Sequence, residues 1–571
     1  MEKNWVIKKQ GDEKLVAQLA QESGVDRMIA HMLTQRNVRT AEQVKAFFQP
    51  NLSDLHDPFL MKDMDKAVAR LEKGIKSKEK ILVYGDYDVD GTTSVAMIYT
   101  FLNERTTNLG FYIPNRYGEG YGVSYKGIDY AKENGFTLVV ALDCGIKAVE
   151  KIEYAKERGI EFIICDHHTA SDTIPDAAAV LDPKRPDCKY PYKDLSGCGV
   201  GFKLLQAYCI KNNLPFSKLE PFLDLVAVSI ASDIVPLTGE NRILAYYGLQ
   251  RLNAAPRNGF KAILNVAGID GKEIDINDIV FKIGPRINAA GRIETGKASV
   301  DLLISDNANI AADMGDVIND FNNTRRNIDN TITKEALQFI SDNKEYLSKK
   351  ATVVYNPNWH KGVVGIVASR LTETFYKPTI VLTESSGLIT GSARSVPGFD
   401  LYKAIETCSG LLENFGGHMY AAGLTMKKEN FPAFKQKFEE VVAETILQEQ
   451  LIPVIEIDTV INLKDITTKF CSELKKFQPF GPENMMPVFL TENVSDNGSG
   501  RLVGNEKEHV KLNLIQENDP FKEFPAIAFG MARHFKTISQ GHAFDVCYSI
   551  EENYFMGQCQ TQLRIRDIKT D

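Results

Sequence analysis

Three aspartates at alternating positions, Asp86, Asp88 and Asp90, close the strand-like part of ILVYGDYDVDGTTS at Ile81–Ser94. Four residues that lean apolar precede them; Gly91, two threonines and a helical run, Val95–Leu102, follow. The pattern predicts a buried parallel strand that delivers carboxylates to its C-terminal end, where open α/β sheets collect ligands. At about 4 Å each like-charge pair costs roughly 4 kcal/mol at an effective dielectric near 20. A hard divalent ion with its preference for oxygen ligands relieves that repulsion; an acidic turn open to water fits D-x-D-x-D alone equally well. Three later stretches favour the ion. TLVVALDCGI places Asp143 after an apolar run, and EFIICDHHTA ends another on Asp166, His167 and His168. FLDLVAVSIASDIVPL is an apolar, helix-like run that ends at Asp233. A lone histidine is more often a satisfied polar residue than a ligand. Two in succession after an aspartate, at one sheet edge with other carboxylates, indicate a metal centre. Imidazole beside carboxylate suits Mn²⁺ somewhat better than an all-oxygen Mg²⁺ site does.

The elements that must carry these residues alternate. Strands are expected at Ile81–Tyr84, Phe111–Pro114, Thr137–Leu142, Glu161–Cys165 and Ala179–Leu181. Helices are expected at Val95–Leu102, Tyr125–Asn134, Ala148–Arg158 and Gly199–Ile210. Short apolar strands alternating with helices mean a parallel sheet covered on both faces. Upstream, residues 1–50 read as a helical packing appendage. Downstream, Ala308–Leu347 reads as one long helix or two in series, and Arg325 and Arg326 on it either contact phosphate or are simply solvated. Residues 351–450 form a second α/β unit, with strands Thr352–Tyr355, Thr379–Leu382 and Leu388–Ala393 and a helix Val363–Phe375. Ser392 and Arg394 fall at its Gly-flanked turn, where a hydroxyl and a guanidinium can grip a terminal phosphate. GGH at Gly416–His418 lets backbone approach a ligand closely; His418 is either part of that site or structural. Arg286, Asn288 and Arg292 lie in the glycine-rich stretch GPRINAAGR, and either contact a DNA backbone or belong to a loop anchored by its own polar side chains. Tyr117 and Tyr121 either stack on bases or are ordinary exposed tyrosines. Residues 451–571 turn β-rich, five or so strands in about 120 residues, which suggests a small barrel. Lys511, Phe529, Tyr548, Tyr554, Arg564 and Arg566 offer it basic and aromatic groups.

Composition sets the frame. The chain has 571 residues, 43% hydrophobic and 25% charged, enough for several globular domains. No apolar run reaches the ~18 residues of a membrane span, and MEKNWVIKKQGDEKL lacks the apolar region of a signal peptide, so a cytoplasmic protein is expected. Nine scattered cysteines without a C-x-x-C pair oppose a disulfide framework and a structural zinc site. A net charge of -8 weighs against a non-specific basic coat for nucleic acid. Ser94 and the cysteines have no base partner in sequence and read as packing residues, so no covalent nucleophile is expected.

Taken together, DYDVDG at Asp86–Gly91, ALDCGI at Ala141–Ile146, DHH at Asp166–His168 and ASDIVPL at Ala231–Leu237 resemble the DHH phosphoesterase superfamily. Within it the chain resembles the RecJ family of 5′→3′ single-strand-specific DNA exonucleases, through YIPNRYGEGYG, SGCGVGFKL, GPRINAAGRIETG, GSARSVPGFDL, FGGHMYAAG and PFGPENMMPVF. The resemblance implies an α/β multidomain protein. Its parts are an N-terminal helical appendage (1–50), a DHH catalytic domain with a parallel sheet (51–305), a connector helix (306–350), a DHHA1 substrate-binding domain (351–450) and an OB-fold single-strand-binding domain (451–571). It implies that Asp90, Asp143, His167 and Asp233 hold one metal, that Asp143 bridges to a second held also by Asp88, that His168 reaches the scissile phosphate, and that Asp86 hydrogen-bonds around the cluster. Ser392, Arg394 and Arg116 would anchor the 5′-phosphate. Some relatives carry a histidine where this chain has Tyr84, which predicts a second metal held weakly or arriving with substrate, since tyrosine is a poor neutral ligand.

The activity implied is two-metal hydrolysis of single-stranded DNA to 5′-mononucleotides with Mn²⁺ or Mg²⁺, in recombination and repair. A single-stranded-DNA-binding protein and a helicase are the implied partners, with no membrane and a monomeric state. Two other readings compete. A DHH phosphohydrolase of short oligonucleotides or pyrophosphate would not need residues 451–571. A catalytically dead single-strand-binding protein would not need the intact ligand set.

Overall fold

A computed structural model describes residues 2–517, 519–555 and 558–570, apart from the side chains of residues 520, 554, 555 and 558. Two compact units result: Met1–Leu55 with Pro236–Thr238 and Val454–Asp571, and His56–Val235 with Gly239–Pro453.

The second unit carries the acidic motifs. Its first sheet has five parallel strands, β1 (Ile81–Gly85), β2 (Leu109–Tyr112), β3 (Leu138–Leu142), β4 (Glu161–Cys165) and β5 (Ala179–Leu181), in the order β2-β1-β3-β4-β5. That order reverses direction between β1 and β3, and the crevice at such a reversal is where doubly wound folds bind ligands. β1 and β3 are buried along their whole length, as expected for strands covered on both faces. Strand β2 lies two residues earlier than the sequence suggests. Pro114 lacks the N–H a ladder needs, and Ile113 and Pro114 belong to the loop that follows the strand. Helix α1 (Val89–Asn103) begins six residues earlier than expected, because Asp88 caps it by accepting from the Gly91 N–H. Helices α2 (Gly197–Lys211) and α3 (Leu223–Ser232) pack against α1.

GPRINAAGR is not a loop. It forms helix α4 (Gly284–Ile293), with Pro285 in the first turn, where its missing N–H is harmless. The glycines serve close approach rather than chain reversal: a Cβ on Gly291 would come 2.7 Å from the Tyr87 carbonyl oxygen. The connector is one helix, α5 (Ala308–Asp342), with the short Glu345–Ser348 after it. Its N-terminal half packs against α4, while Ile332, Ala336 and Ile340 join a core with Val363, Val364, Val367 and Leu371.

Beyond α5 stands a second sheet of β6 (Thr352–Tyr355), β7 (Thr379–Ser385), β8 (Leu388–Arg394), β9 (Asn414–His418) and β10 (Ala421–Met426), in the order β9-β10-β8-β7-β6. Helix α6 (Val364–Phe375) covers it. Arg394 is the last residue of β8, paired with Ala421, and not part of a turn.

In the other unit, Phe489–Asp496, His509–Gln516, Asp519–Ala528, Phe544–Phe555 and Gln558–Lys569 are linked strand to strand in a ring of pairings, as an OB-fold requires. Residues 1–50 are not wholly helical. Asn4–Ile7 is a strand paired in parallel with Val454–Ile457, and Val16, Leu19, Ile29 and Leu33 share one core with Phe470, Phe489 and Leu563.

Candidate active site

The carboxylates converge because each ends a buried strand, starts a helix or, for Asp233, ends one. Asp86 follows β1 and is fully buried. One of its oxygens accepts from the Gly122 N–H at 3.2 Å; the other is buried with no hydrogen-bond partner. Asp90, in the first turn of α1, accepts from Gly197 N–H (2.6 Å), Cys198 N–H (2.8 Å) and the Ser229 hydroxyl (2.7 Å). The α2 N-terminus thus aims its N–H groups and dipole at this carboxylate. Gly197 is required there, since a Cβ would lie 2.6 Å from the Asp143 Cβ. Asp143 follows β3 with φ of 58°, a left-handed conformation uncommon for a residue with a side chain and frequent at functional sites. Burial, and then the charges of Asp90, Asp88 and Asp233, push its carboxyl well above the usual range. Burial and neighbouring carboxylates likewise raise Asp86, Asp88 and Asp233.

His167 sits at the centre. Its Nε2 lies 3.2 Å from an Asp143 oxygen, 3.5 Å from Asp233 and 3.7 Å from Asp90. Both ring nitrogens are buried without a hydrogen-bond partner. Burial holds the ring neutral, with a pKa lowered to about 4, the form that ligates metals. Orphaned buried nitrogens are uncommon, and here Nε2 faces three carboxylates that repel one another. A divalent cation fits this donor set. Asp90, His167 and Asp233 could hold one; Asp143, His167 and His168 also cluster, but both His168 nitrogens are engaged, with Asp166 and Tyr121. Neither includes Asp88, whose capping bond to Gly91 uses one oxygen.

His168 is held differently. Its Nδ1–H donates to Asp166 at 2.7 Å, a bond that outweighs burial and raises the imidazole to about 9. Doubly protonated, it donates from Nε2 to the Tyr121 hydroxyl (3.1 Å), which donates in turn to the Asp143 carbonyl (3.0 Å). Asp166 also accepts from the Ile146 and His167 N–H groups, and these donors overcome burial to bring it to about 2. It is a hub for the loop rather than a free ligand. Tyr84 offers no ligand either: its hydroxyl donates to the Gly122 carbonyl at 2.9 Å and accepts from the Ser124 N–H at 3.2 Å.

The same unit holds a group of cations. Arg394 donates to the Ser392 hydroxyl at 2.7 Å, and burial and the Arg116 charge lower its pKa. Arg292, on α4, donates to the Gly362 carbonyl, and burial with Arg116, Arg325 and Arg394 nearby lowers it to about 9. Lys361 is lowered by burial and by Arg116. Cations that depress one another mark a place built for an anion. Tyr117 closes this region, its hydroxyl bonded to the Arg292 carbonyl and its ring against His360. His418, exposed on β9, is lowered by desolvation and by Arg394. Arg286, also on α4, donates to Asn319 (3.2 Å) and the Lys282 carbonyl (2.7 Å). Asn288 is half-buried on α4. Lys361 and His360 were not legible because no spacing ties them to the motifs they join; Tyr87 stands inside DYDVDG, but a neutral aromatic among aspartates carries no signal of its own.

In the barrel, Tyr548 is no surface aromatic. It is fully buried and shares a 2.8 Å hydrogen bond with Thr491. Phe529 is half exposed, with the Arg564 guanidinium 5.5 Å above its ring. Arg566 donates to Ser549 at 3.2 Å, and Lys511 sits on a half-exposed strand face. The side chain of Tyr554 lies outside the described residues.

Comparisons with known proteins agree with this geometry. Residues 80–230 match the DHH family, N-terminal domain; residues 348–444 match the DHHA1 domain; residues 457–567 match the RecJ OB domain. The single-stranded-DNA-specific exonuclease RecJ of Bacillus subtilis (strain 168) is 36% identical over 565 residues, covering 99% of this chain and 70% of that protein. The RecJ of Escherichia coli (strain K12) is 31% identical over 559 residues, covering 95% of each. The crystal structure of RecJ in complex with Mn²⁺ from Thermus thermophilus superposes with a TM-score of 0.85 at 26% identity, covering 100% of this chain and 80% of that one. Similarity to these relatives over 95% or more of this chain, with all three domains in order, shows that the chain belongs to the RecJ family of the DHH phosphoesterases.

Proposed function

We propose that this protein is a divalent-metal-dependent exonuclease that degrades single-stranded DNA from the 5′ end to 5′-mononucleotides. The observation that carries the reading is the presence, in one compact unit, of the His167-centred carboxylates and the mutually repelling Arg116, Arg292 and Arg394. Asp88, Asp90, Asp143, His167 and Asp233 would hold Mn²⁺ or Mg²⁺. Such ions supply a hydroxide nucleophile and stabilise the leaving oxygen.

The chain's own residues do the rest. Arg116, Arg394 and Ser392 bind a terminal 5′-phosphate through charge-assisted bonds, which sets the polarity. His168, kept protonated by Asp166, places a positive charge beside the phosphodiester. Asp86 and Tyr121 fix the loops that carry these groups. Tyr117, Arg286, Asn288 and His418 are assigned to the strand's path. The C-terminal barrel binds the single strand by stacking and charge, which favours this reading over a hydrolase of small substrates. The five segments 1–50, 51–305, 306–350, 351–450 and 451–571 are our proposed division of labour. No helix among the described residues is long and apolar enough to cross a membrane, and we place the enzyme in the cytoplasm, monomeric, acting in recombination and repair with a helicase and a single-strand-binding protein.

The test is a digestion series on strands labelled at the 5′ or 3′ end and on a blunt duplex, with Mn²⁺, Mg²⁺ or chelator. Early release of a mononucleotide from the 5′ label, with the duplex resistant and chelator inhibitory, is expected. Turnover of dinucleotides or pyrophosphate without cleavage of long strands would overturn it.

A further inference from the structure

The acidic turn contains one large side chain that the mechanism above does not use. Tyr87 lies between Asp86 and Asp88, yet it is 9% exposed and packs toward the cations. The Arg116 guanidinium lies over its ring, 4.6 Å from the centroid. The Tyr121 ring meets it edge-on at 6.3 Å and 85°. The base of the side chain is closed by glycines: a Cβ on Gly291 would lie 3.2 Å from the Tyr87 Cβ, and one on Gly296 equally close. Gly291 immediately precedes Arg292. Tyr87 therefore joins four parts of the site: it belongs to the acidic turn, its backbone and Cβ lie against the helix of Arg292, and its ring meets Arg116 and the Tyr121 bridge to His168.

We propose that Tyr87 is a positioning residue whose ring seats Arg116 at a fixed reach from the carboxylates, so that a strand gripped by its 5′-phosphate presents its first phosphodiester to the hydrolytic centre. The inference rests on the exonuclease reading and its 5′-phosphate anchor.

An arginine has many rotamers in solvent and binds an anion well only when one of them is preselected. An aromatic face under the guanidinium does this through the negative ring quadrupole without using any of its N–H donors. All of them stay available for phosphate. A carboxylate partner would preselect the rotamer too, but would occupy those donors and cancel the charge. Because the ring belongs to the loop that bears Asp86 and Asp88, the seat and the carboxylates are one rigid piece. That coupling is what a one-nucleotide register needs.

The full chain is assayed with Mn²⁺ on matched 5′-phosphorylated and 5′-hydroxyl strands, reading the ratio of kcat/KM. Tyr87→Leu is expected to lower the preference for 5′-phosphate about tenfold, through KM for the phosphorylated strand. Tyr87→Phe, which keeps the ring, is expected to stay within about twofold of the parent. Introduced into Arg116→Gln, Tyr87→Leu is expected to lower the ratio no further, since the seat then has nothing to hold. Tyr87→Met is measured in parallel and read by the same criteria if the leucine variant does not fold. A preference retained in both non-aromatic variants overturns the inference. So does a phenylalanine variant that falls as far as they do, or two substitutions whose effects multiply. A parent without any preference for 5′-phosphate removes the anchor reading and this inference together, a failure seen before any variant is made.

Discussion

The acidic centre and the cationic cluster of the second unit are both assemblies of like charge, and they were built in opposite ways. The acidic centre comes from four short motifs, each at the end of a buried element, and its members are bound by backbone N–H groups from α2 and from the loops at Gly122 and Ile146. The cationic cluster comes from single residues, Arg116, Arg292, Lys361 and Arg394, spread over a loop, a helix, a turn and a strand. The first uses backbone dipoles to tolerate carboxylates until a cation arrives. The second has few counter-charges: Arg292 meets a carbonyl, Arg394 a hydroxyl, and Arg116 a ring. Each half is electrostatically incomplete, and on the function proposed above a metal-bound phosphate chain would complete both.

The largest break in this comparison is Asp143→Ala. It should reduce hydrolysis by roughly a thousandfold or more while single-strand binding, measured by fluorescence anisotropy, stays within about threefold. Residual turnover within about tenfold of the parent would contradict a central place for Asp143. Metal should also show in stability. Mn²⁺ at a hundred times its Kd is expected to stabilise the parent by about 2.7 kcal/mol, seen as a rise in Tm that Asp143→Ala shrinks and chelator reverses. A rise of the same size in the variant would place the bound ion elsewhere.

On the cationic side the expected effects are smaller and selective. Arg394→Ala should lower the preference for 5′-phosphorylated over 5′-hydroxyl ends by about tenfold or more, through loss of a charge-assisted bond of about 1.5–3 kcal/mol, with less effect on 5′-hydroxyl strands. An unchanged ratio would take Arg394 out of the anchor. The smallest effect sharpens the comparison from outside both sites. Tyr548→Phe should cost about 1 kcal/mol in chemical denaturation, the worth of its bond to Thr491. It should not change the affinity for single strands; a weakened affinity would put Tyr548 back on the binding surface.

These two sites were not equally legible. Asp143, Asp166, His167 and His168 stood out because charge at the end of an unbroken apolar strand is costly to bury and rarely accidental. The strands β3, β4 and β5 were legible for the same reason. Glycine left a loop open as one reading of Gly284–Ile293, where it serves the close approach of helix α4 to Tyr87. Tyr548 misled because its burial depends on strand partners distant in the chain. Residues 1–50 read as helical throughout, since nothing in a short strand such as Asn4–Ile7 announces a partner at Val454–Ile457.

By itself the sequence determined the chemistry at the end of the parallel sheet, because local apolar runs and the charges that interrupt them are sufficient to specify both strand and site. Only the tertiary structure decided which cations face that sheet, which aromatic holds Arg116, and that Tyr84 is spent on the Gly122–Ser124 backbone. Those are long-range pairings, and long-range pairings are set by packing, which no local spacing encodes.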